Sequence, residues 1–258
     1  MTILPDYQYR PLAHDENTRF IQLYPAAHFE DPIRVDIVER AYDASRAQDP
    51  VGYEALSYAW GSDEDSAYIF VGANSRLRVR HNVTRILRYL RDGITPGCTA
   101  RTLWIDAICI NQADDEEKGK QVTVMGKIYA CATSVLIWTG EPGCDLQALQ
   151  ESPQGRSRYP WEKYPLPHLT QFFETGWFTR RWVVQEVMHA REAYFISGNG
   201  TMQWQQFSSF VRVLESGIYD KALTPRVGEI LHHLSNLTAV RDTESDKLSQ
   251  CDESTTSA

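Results

Sequence analysis

Three short stretches of this sequence place polar and aromatic residues directly after apolar runs. The first is Ser57–Gly61 (SYAWG), which ends a predicted strand. In open parallel sheets, ligands bind beyond the carboxyl ends of the strands. Tyr58, Trp60 and the backbone of Gly61 are therefore candidates for substrate contact. The alternative is a purely structural role, in which the two aromatic rings pack beneath a loop.

The second stretch is Trp104–Gln112 (WIDAICINQ). Asp106 interrupts an apolar run of strand length, and a buried carboxylate is costly unless it is paired or hydrogen-bonded. It either caps neighbouring backbone N–H groups or faces a site, and we expect a mainly structural residue close to the site. Asn111 and Gln112 begin the loop before the next helix, where ligand contacts and turn or capping roles both fit.

The third stretch is Arg180–Glu186 (RRWVVQE), at the start of a predicted helix. Residues four apart lie on the same face of a helix, so Trp182 and Glu186 are expected to be neighbours. An aromatic plate beside a carboxylate suits a ligand that has a planar ring and develops positive charge. The alternative is an ordinary amphipathic helix in which Glu186 is paired with an arginine.

Several common active-site patterns are absent from the sequence. Its seven histidines form no H-E-x-x-H spacing and its five cysteines form no C-x-x-C pair. We therefore expect no metal site and no disulfide framework. The phosphate-binding pattern G-x-x-x-x-G-K-[ST] and the nucleophile elbow G-x-S-x-G are also missing, which disfavours P-loop and α/β-hydrolase chemistry.

The charge balance of the chain limits the classes of partner that it is expected to bind. Over 258 residues, 26 Lys and Arg face 34 Asp and Glu, which gives a formal net charge of −8. An acidic chain without a run of basic residues is a poor match for a phosphate backbone, so nucleic acid is disfavoured as the main partner. No apolar stretch approaches the roughly 18 residues of a membrane span. The first residues lack the pattern of a signal peptide, and we expect a cytoplasmic location.

The rest of the sequence supplies the elements that must position these three stretches. Runs of strand length occur at Arg19–Tyr24, Ile33–Arg40, Tyr53–Trp60, Ala67–Val71, Arg76–Val79, Thr102–Ile108, Ser134–Trp138 and Tyr194–Ser197. Helical spacing covers 82–91, 114–132, 180–190, 204–216 and 225–241. We expect Asn82 to cap the first of these helices and Asp114 to open the second. The helix that follows Asp114 is expected to bury Val122 together with Met125, Ile128 and Tyr129.

The centre of the chain predicts the fold class. A strand at 102–108, a helix and a strand at 134–138 form a βαβ unit, which is typical of a parallel sheet in an α/β fold. We expect the strands at 53–59, 102–108, 133–138 and 193–197 to share one largely parallel sheet flanked by helices. The runs at 67–71 and 76–79 are predicted to form a β-hairpin inserted before the first helix.

The sequence predicts three regions. Residues 1–50 are expected to form a β-rich extension packed on the core, residues 51–240 the main domain, and residues 241–258 a disordered tail. Within the main domain, residues 142–168 contain five prolines, and we expect a long surface loop there.

Three segments of the chain resemble the fungal heterokaryon-incompatibility (HET) domain. They are YEALSYAWG at 53–61, LWIDAICINQADDEEKGKQVTVMGKIYACATSVLIWTG at 103–140 and WFTRRWVVQEV at 177–187. This family is associated with fungal non-self recognition and programmed cell death. The resemblance therefore implies a cell-death effector, working either as a homo-oligomer or with an upstream recognition partner.

The order of these segments is also similar to that of TIR domains, which have a flavodoxin-like α/β fold. NAD-cleaving TIR domains carry their catalytic glutamate in a W-x-x-x-E-like helix, which matches Trp182 and Glu186. Tyr58, Trp60 and Gly61 match the loop that borders the nucleotide. The extra N-terminal strands, the inserted hairpin and the loop at 142–168 depart from the TIR pattern.

The resemblance implies that NAD is a substrate, that no resident cofactor is needed, and that Glu186 is catalytic. Tyr58, Trp60, Gly61, Asp106, Asn111, Arg181 and Trp182 are the expected substrate-binding residues. A non-catalytic module that signals by self-association remains the alternative. An open cleft beside Glu186 would favour the enzyme, whereas a filled or ion-paired environment would favour the self-associating module.

Overall fold

The chain forms two compact units, Met1–Leu136 and Ile137–Ala258. The computed structural model describes residues 4–43, 52–61, 65–91, 100–140, 146, 170, 172–180, 186–188, 190–198, 200–214 and 226–236. Most of the predicted loop at 142–168 and all of the predicted tail at 241–258 lie outside these residues. The three regions proposed from the sequence stay a prediction.

The first unit is built on a sheet. Its strands are β1 (Asn17–Leu23), β2 (Arg34–Ala41), β3 (Glu54–Tyr58), β4 (Ser66–Val71), β5 (Ser75–Arg80), β6 (Arg101–Trp104) and β7 (Ser134–Trp138), the last of which crosses into the second unit. Their order across the sheet is β5-β4-β2-β1-β6-β3-β7. All five residues of β7 are buried, as expected for a strand covered on both faces. The α/β class and the inserted hairpin are confirmed.

β6, β3 and β7 lie side by side as predicted, and β3 and β6 are parallel, but the sheet of the first unit as a whole is mixed and is not largely parallel. β3 pairs with β6 and β2 with β4 in parallel. β1 is antiparallel to both β2 and β6, and β4 is antiparallel to β5. The reason is that the N-terminal strands and the hairpin join the same sheet. The short turn between β4 and β5 permits only antiparallel pairing.

The first helix, α1 (His81–Leu90), has the predicted amphipathic pattern. It buries an apolar stripe of Val83, Ile86, Leu87 and Leu90. Asn82 does not cap it, because the N-cap is Arg80 and Asn82 lies within the first turn. The side-chain amide of Asn82 instead donates to the carbonyl oxygen of Ala59 at 2.7 Å, which ties the helix start to the end of β3.

The apolar run at 102–108 is not one strand. β6 ends at Trp104, and Asp106 begins the short helix α2 (Asp106–Cys109). Asp106 is therefore half-buried at the start of a helix and does not lie inside a strand. An apolar run of this length cannot be assigned to strand or helix by periodicity alone.

Helix α3 (Asp115–Cys131) lies where the sequence predicts it, and Asp114 is its N-cap. The Asp114 carboxylate accepts hydrogen bonds from the backbone N–H groups of Glu116 and Glu117. Val122, however, is 44 % exposed, so its predicted burial is wrong. Gln121 is buried in its place, on the same side of α3 as Met125, Ile128 and Tyr129. The side-chain amide of Gln121 donates to the carbonyl oxygen of Asn17 at 2.9 Å.

The second unit continues from β7 to β8 (Ala193–Ser197) and β9 (Gly200–Gln203), in that order. β8 and β9 are antiparallel. The second unit also contains a short 3-10 helix (Gly176–Thr179), α4 (Trp204–Val213) and a helix at 226–236. Its core is aromatic, with the rings of Phe195 and Phe207 centred 3.9 Å apart. Arg180 lies outside the helix that was predicted to start there.

Candidate functional site

The strand order brings Trp60 and Asp106 together. Each lies two residues beyond the end of its strand, β3 for Trp60 and β6 for Asp106. Because these strands are parallel neighbours, their carboxyl ends lie at the same edge of the sheet. The indole Nε1 of Trp60 donates a hydrogen bond to Oδ2 of Asp106 at 2.7 Å.

The Asp106 carboxylate is held at both oxygens. Oδ2 accepts from Trp60, and Oδ1 accepts from the backbone N–H of Ala107 at 2.7 Å. The backbone carbonyl of Asp106 accepts from Nε2 of Gln112 at 2.9 Å. Asp106 therefore orients Trp60 and the loop after α2, as expected of a structural residue that borders a site.

A cavity of about 670 Å³ opens beside this pair. It lies within the first unit, between the N-terminal segment, the hairpin and the loop after α2. Its lining includes Tyr7, Tyr9, Trp60, Arg78, Arg80, Asn111 and Gln112. The volume falls within the usual range of ligand pockets, roughly 300–1,000 Å³.

Strand β5 supplies the positive charge of this cavity. Residues two apart on a strand share a face, and Arg78 and Arg80 both line the cavity. The Arg80 guanidinium lies 4.3 Å from the centre of the Trp60 ring. Nε of Arg78 donates to Oγ of Ser66 at 2.7 Å. No aspartate or glutamate is among the described residues that line the cavity.

The N-terminal segment forms an aromatic wall. The rings of Tyr7 and Tyr9 meet edge to face with centroids 5.1 Å apart. The backbone N–H of Tyr7 donates to the carbonyl oxygen of Arg76 at 2.7 Å, and the Tyr9 hydroxyl donates to that of Ile108 at 2.8 Å. Burial raises the pKa of the Tyr9 hydroxyl, so Tyr9 stays a neutral donor that fixes this wall.

A buried ion pair supports the loop that carries Asn111. Arg19 is 3 % exposed, and its guanidinium donates to the two carboxylate oxygens of Glu117 at 2.6 and 2.8 Å. Glu117 also accepts from the backbone N–H of Asn111 at 2.8 Å. Burial opposes the ionisation of Glu117, but the hydrogen bonds from Arg19 and Asn111 outweigh it and lower the Glu117 pKa.

The other residues predicted at the end of β3 differ in placement. Tyr58 is 1 % exposed and does not line the cavity. Gly61 is exposed and has a φ of +76°, a conformation that favours glycine. The structure thus brings Trp60, Asp106 and Asn111 to one place and buries Tyr58 in the core.

Glu186 belongs to the second unit, and its carboxylate is paired with Arg180. Nη2 of Arg180 lies 2.9 Å from Oε1 and Nη1 lies 3.2 Å from Oε2. The Glu186 side chain is only 2 % exposed. Of the two possibilities left open by the sequence, pairing with an arginine is the observed arrangement. Arg181 and Trp182 lie outside the described residues.

The arginines and tyrosines that line the cavity were not predicted from the sequence. Tyr7, Tyr9, Arg78 and Arg80 were not predicted as site residues, and Gln112 was noted only as a loop residue. The signal that could have found the arginines is their alternation along one strand, SRLRVR at 75–80, which places one charge type on one strand face.

Two kinds of feature are absent from the described residues. These residues contain no cluster of three or more histidine, cysteine, aspartate or glutamate side chains arranged to hold a metal ion. Among the helices that the structure describes, none has the length and apolar character needed to cross a membrane.

Comparison with known proteins identifies a family and one relative. The profile of the family described as heterokaryon incompatibility protein (HET) matches residues 53–186. Heterokaryon incompatibility protein 6, OR allele, of Neurospora crassa is 28 % identical over 254 residues, covering 80 % of this chain and 36 % of that protein. The chain thus spans little more than a third of the length of that relative. No solved structure matches the chain.

Proposed function

The chain belongs to the heterokaryon incompatibility (HET) family, and we propose that it is the cell-death effector region of a fungal protein acting in heterokaryon incompatibility. The family match over residues 53–186 carries this proposal. That match runs from the start of β3 to Glu186, so it includes both Trp60 and Asp106. The similarity to a Neurospora crassa heterokaryon incompatibility protein supports the same role.

We propose further that the fold is related to that of TIR domains. Counted along the chain, β3, β6 and β7 are the first, second and third strands of the βαβ region, and they lie in the order β6-β3-β7. This second-first-third order is how a flavodoxin-like sheet begins. The chain order reverses between β3 and β7, and such switch points are where ligands bind in open α/β sheets. Trp60 follows the carboxyl end of β3, which supports a ligand site there.

The proposed reaction is cleavage of the nicotinamide–ribose bond of NAD, with Glu186 as the catalytic residue. The C–N bond breaks, and its electron pair goes to the pyridinium nitrogen, which leaves as neutral nicotinamide. The ribose develops oxocarbenium character, and a carboxylate stabilises that positive charge. Water then adds to the ribose carbon and releases a proton, which gives ADP-ribose.

The burial of Glu186 supports a functional role for it. A buried ion pair contributes little net stability, because removing both charges from water costs about as much as their attraction returns. Retaining such a carboxylate at 2 % exposure is consistent with a role beyond folding. In the described arrangement Arg180 contacts both carboxylate oxygens, so catalysis requires Arg180 to release at least one of them.

That same ion pair favours a second candidate, a non-catalytic module that triggers death by self-association. A carboxylate already neutralised by an arginine needs no substrate cation, and Glu186 would then only hold the segment that follows the 3-10 helix. The two candidates predict different behaviour for a variant that keeps the shape of Glu186 and loses its charge.

The test is nicotinamide release from NAD by the purified chain, measured over a range of protein concentrations so that self-association can occur. Wild type, Glu186→Gln and Glu229→Gln are compared. Glu229 is an exposed glutamate on the helix at 226–236 and serves as the matched control. The proposal predicts release by wild type and Glu229→Gln, with a loss of about 10²-fold or more in Glu186→Gln. Equal release by all three variants would contradict it.

A further inference from the structure

We propose that a smaller cavity of the first unit binds a primary ammonium group, with Oε1 of Gln121 as one acceptor and nearby carboxylates as its counter-charges. This smaller cavity has a volume of about 210 Å³ and shares no described lining residue with the larger one beside Trp60. Its walls are the N-terminal segment around Leu12 and the first two turns of α3. The inference goes beyond the proposed function, because it involves neither Glu186 nor the residues around Trp60.

The side-chain oxygen of Gln121 is a buried acceptor without a donor. Gln121 is 2 % exposed, and its Oε1 has no hydrogen-bond partner among the described residues. Its Nε2 donates to the carbonyl oxygen of Asn17 at 2.9 Å, which fixes the amide, since the reverse orientation would bring two oxygens together. Gln121 lines the smaller cavity and Asn17 does not, so Oε1 is the polar atom left for the cavity. A buried acceptor left unpaired costs free energy, which favours a ligand that donates to it.

The charges around this oxygen favour a cation. Four carboxylates and a single ammonium line the smaller cavity, those of Asp15, Asp114, Glu116, Glu117 and Lys120. Arg19 already neutralises Glu117, which leaves three carboxylates against one ammonium. The N-terminus of α3 adds only about half a positive charge, so the excess of carboxylates outweighs it.

Lys120 does not fill the site itself. Its side chain is 58 % exposed, and its Nζ lies 3.0 Å from a carboxylate oxygen of Glu116 and 3.8 Å from one of Asp15. It makes no hydrogen bond to Oε1 of Gln121. Exposed ion pairs of this kind contribute little, so a ligand can compete with Lys120 for the same carboxylates at small cost.

A primary ammonium fits this arrangement better than a metal ion does. No cluster of carboxylates or imidazoles in the described part of the chain is arranged to hold a metal. An alkylammonium has three N–H donors, enough for Oε1 of Gln121 and for carboxylates beside it. Pro11 and Leu12 also line the cavity and offer apolar surface to a short alkyl stem. The volume lies below the roughly 300–1,000 Å³ of ordinary ligand pockets, so the ligand is small.

The test is isothermal titration of the full chain with butylammonium, at constant ionic strength because unspecific attraction of cations depends on salt. Tetramethylammonium is the comparison, since it has the same charge and no N–H donor. We expect one butylammonium to bind per chain, at least about tenfold more tightly than tetramethylammonium. Equal affinity for the two cations would mean general charge attraction and would overturn the proposal. So would the absence of butylammonium binding at millimolar concentration.

Three variants locate the binding in the smaller cavity. Gln121→Met keeps the length of the side chain but removes the acceptor, and it should weaken butylammonium binding at least about tenfold. Lys120→Met removes the competing ammonium, and it should strengthen binding about threefold or more. Lys127→Met removes an exposed lysine of α3 outside the cavity and should bind like wild type.

Lys120→Met decides the case if Gln121→Met fails to fold, because Lys120 is largely exposed. Unchanged binding in Lys120→Met, or an equal gain in Lys127→Met, would overturn the assignment to this cavity.

A free alkylamine and a lysine side chain of a partner protein present the same ammonium group. Nα-acetyl-lysine N-methylamide, which carries that group on a peptide backbone, distinguishes the two sources. Affinity within about threefold of butylammonium supports the site and assigns it to a partner's lysine. Affinity at least about tenfold lower supports the site and assigns it to a free amine. Nicotinamide release enters none of these measurements, so their failure would leave the proposed function standing.

Discussion

The Trp60 indole donates to the Asp106 carboxylate at 2.7 Å, across 46 positions of sequence. This bond joins the ends of two parallel strands and sets one corner of the cavity. It explains how a half-buried carboxylate at a site border can be structural, because both its oxygens already accept hydrogen bonds from the protein.

Asp106→Asn should therefore lower stability. The variant has one acceptor oxygen where the wild type has two, so one of the bonds from Trp60 or Ala107 is lost. A charge-assisted hydrogen bond contributes about 1.5–3 kcal/mol, which corresponds to a fall in melting temperature of several degrees for a chain of this size. Calorimetry against Asp15→Asn, an exposed control, measures it. A fully stable Asp106→Asn chain that has lost activity would make Asp106 a catalytic residue instead.

The buried pair of Arg19 and Glu117 should make the chain acid-sensitive. The Glu117 pKa is lowered from an ordinary value of 4.5. Its contribution to stability is therefore fully present above that pH and is lost as the pH falls through the folded-state pKa. Glu117→Gln should show a shallower loss of melting temperature between neutral pH and pH 3 than wild type. It should also cost about 3–5 kcal/mol at neutral pH, because Arg19 stays buried without its partner. Identical pH profiles for the two proteins would contradict this.

Two glycines should respond to alanine with opposite signs. Gly61 has a positive φ, and although a Cβ there would make only an ordinary contact with Asn82 at 3.6 Å, the conformation itself costs an L-residue about 1 kcal/mol. Gly126 lies within α3 with nothing near a built Cβ, and alanine there should stabilise by roughly 0.5–1 kcal/mol. Chemical denaturation measures both. A stabilising Gly61→Ala would show that the turn after β3 adopts another conformation.

Arg180 and Glu186 should show strong energetic coupling. Arg180→Gln alone leaves a carboxylate buried at 2 % exposure, which costs about 3–5 kcal/mol. The double variant Arg180→Gln, Glu186→Gln should recover part of that loss, because the buried carboxylate that lost Arg180 is removed as well. A double-mutant cycle on unfolding free energies gives the coupling. Strictly additive effects would mean that the pair does not persist in solution.

Local signals predicted the local structure. The helix start at Asp114, the apolar stripe of α1 and the hairpin at β4 and β5 each depend on residues close together in sequence, and all three are observed. The end of β6 was missed because the residues on both sides of Asp106, from Leu103 to Ile110, are apolar through the change from strand to helix. Within such a run, periodicity does not separate the two.

The cavity was predictable only in part, because its walls meet through tertiary structure. Trp60 and Asn111 follow strand or helix ends, which singles them out in the sequence. Tyr7 and Arg78 come together because the N-terminal segment pairs with strand β5 of the hairpin. Asp6 forms a β-bridge with Arg76, and the backbone N–H of Tyr7 donates to the carbonyl oxygen of Arg76. No local pattern indicates that pairing. The arginine that pairs with Glu186 could not be chosen between Arg180 and Arg181 from spacing alone.

The most direct test of the central claim is death of a fungal host that expresses this chain as wild type, Glu186→Gln or Glu229→Gln at equal levels. NAD content is followed in the same cells. Wild type and Glu229→Gln should deplete NAD and kill, whereas Glu186→Gln, compared at an equal level of folded protein, should do neither. Killing by Glu186→Gln at the wild-type rate would contradict this expectation and would mean that the chain acts by contact.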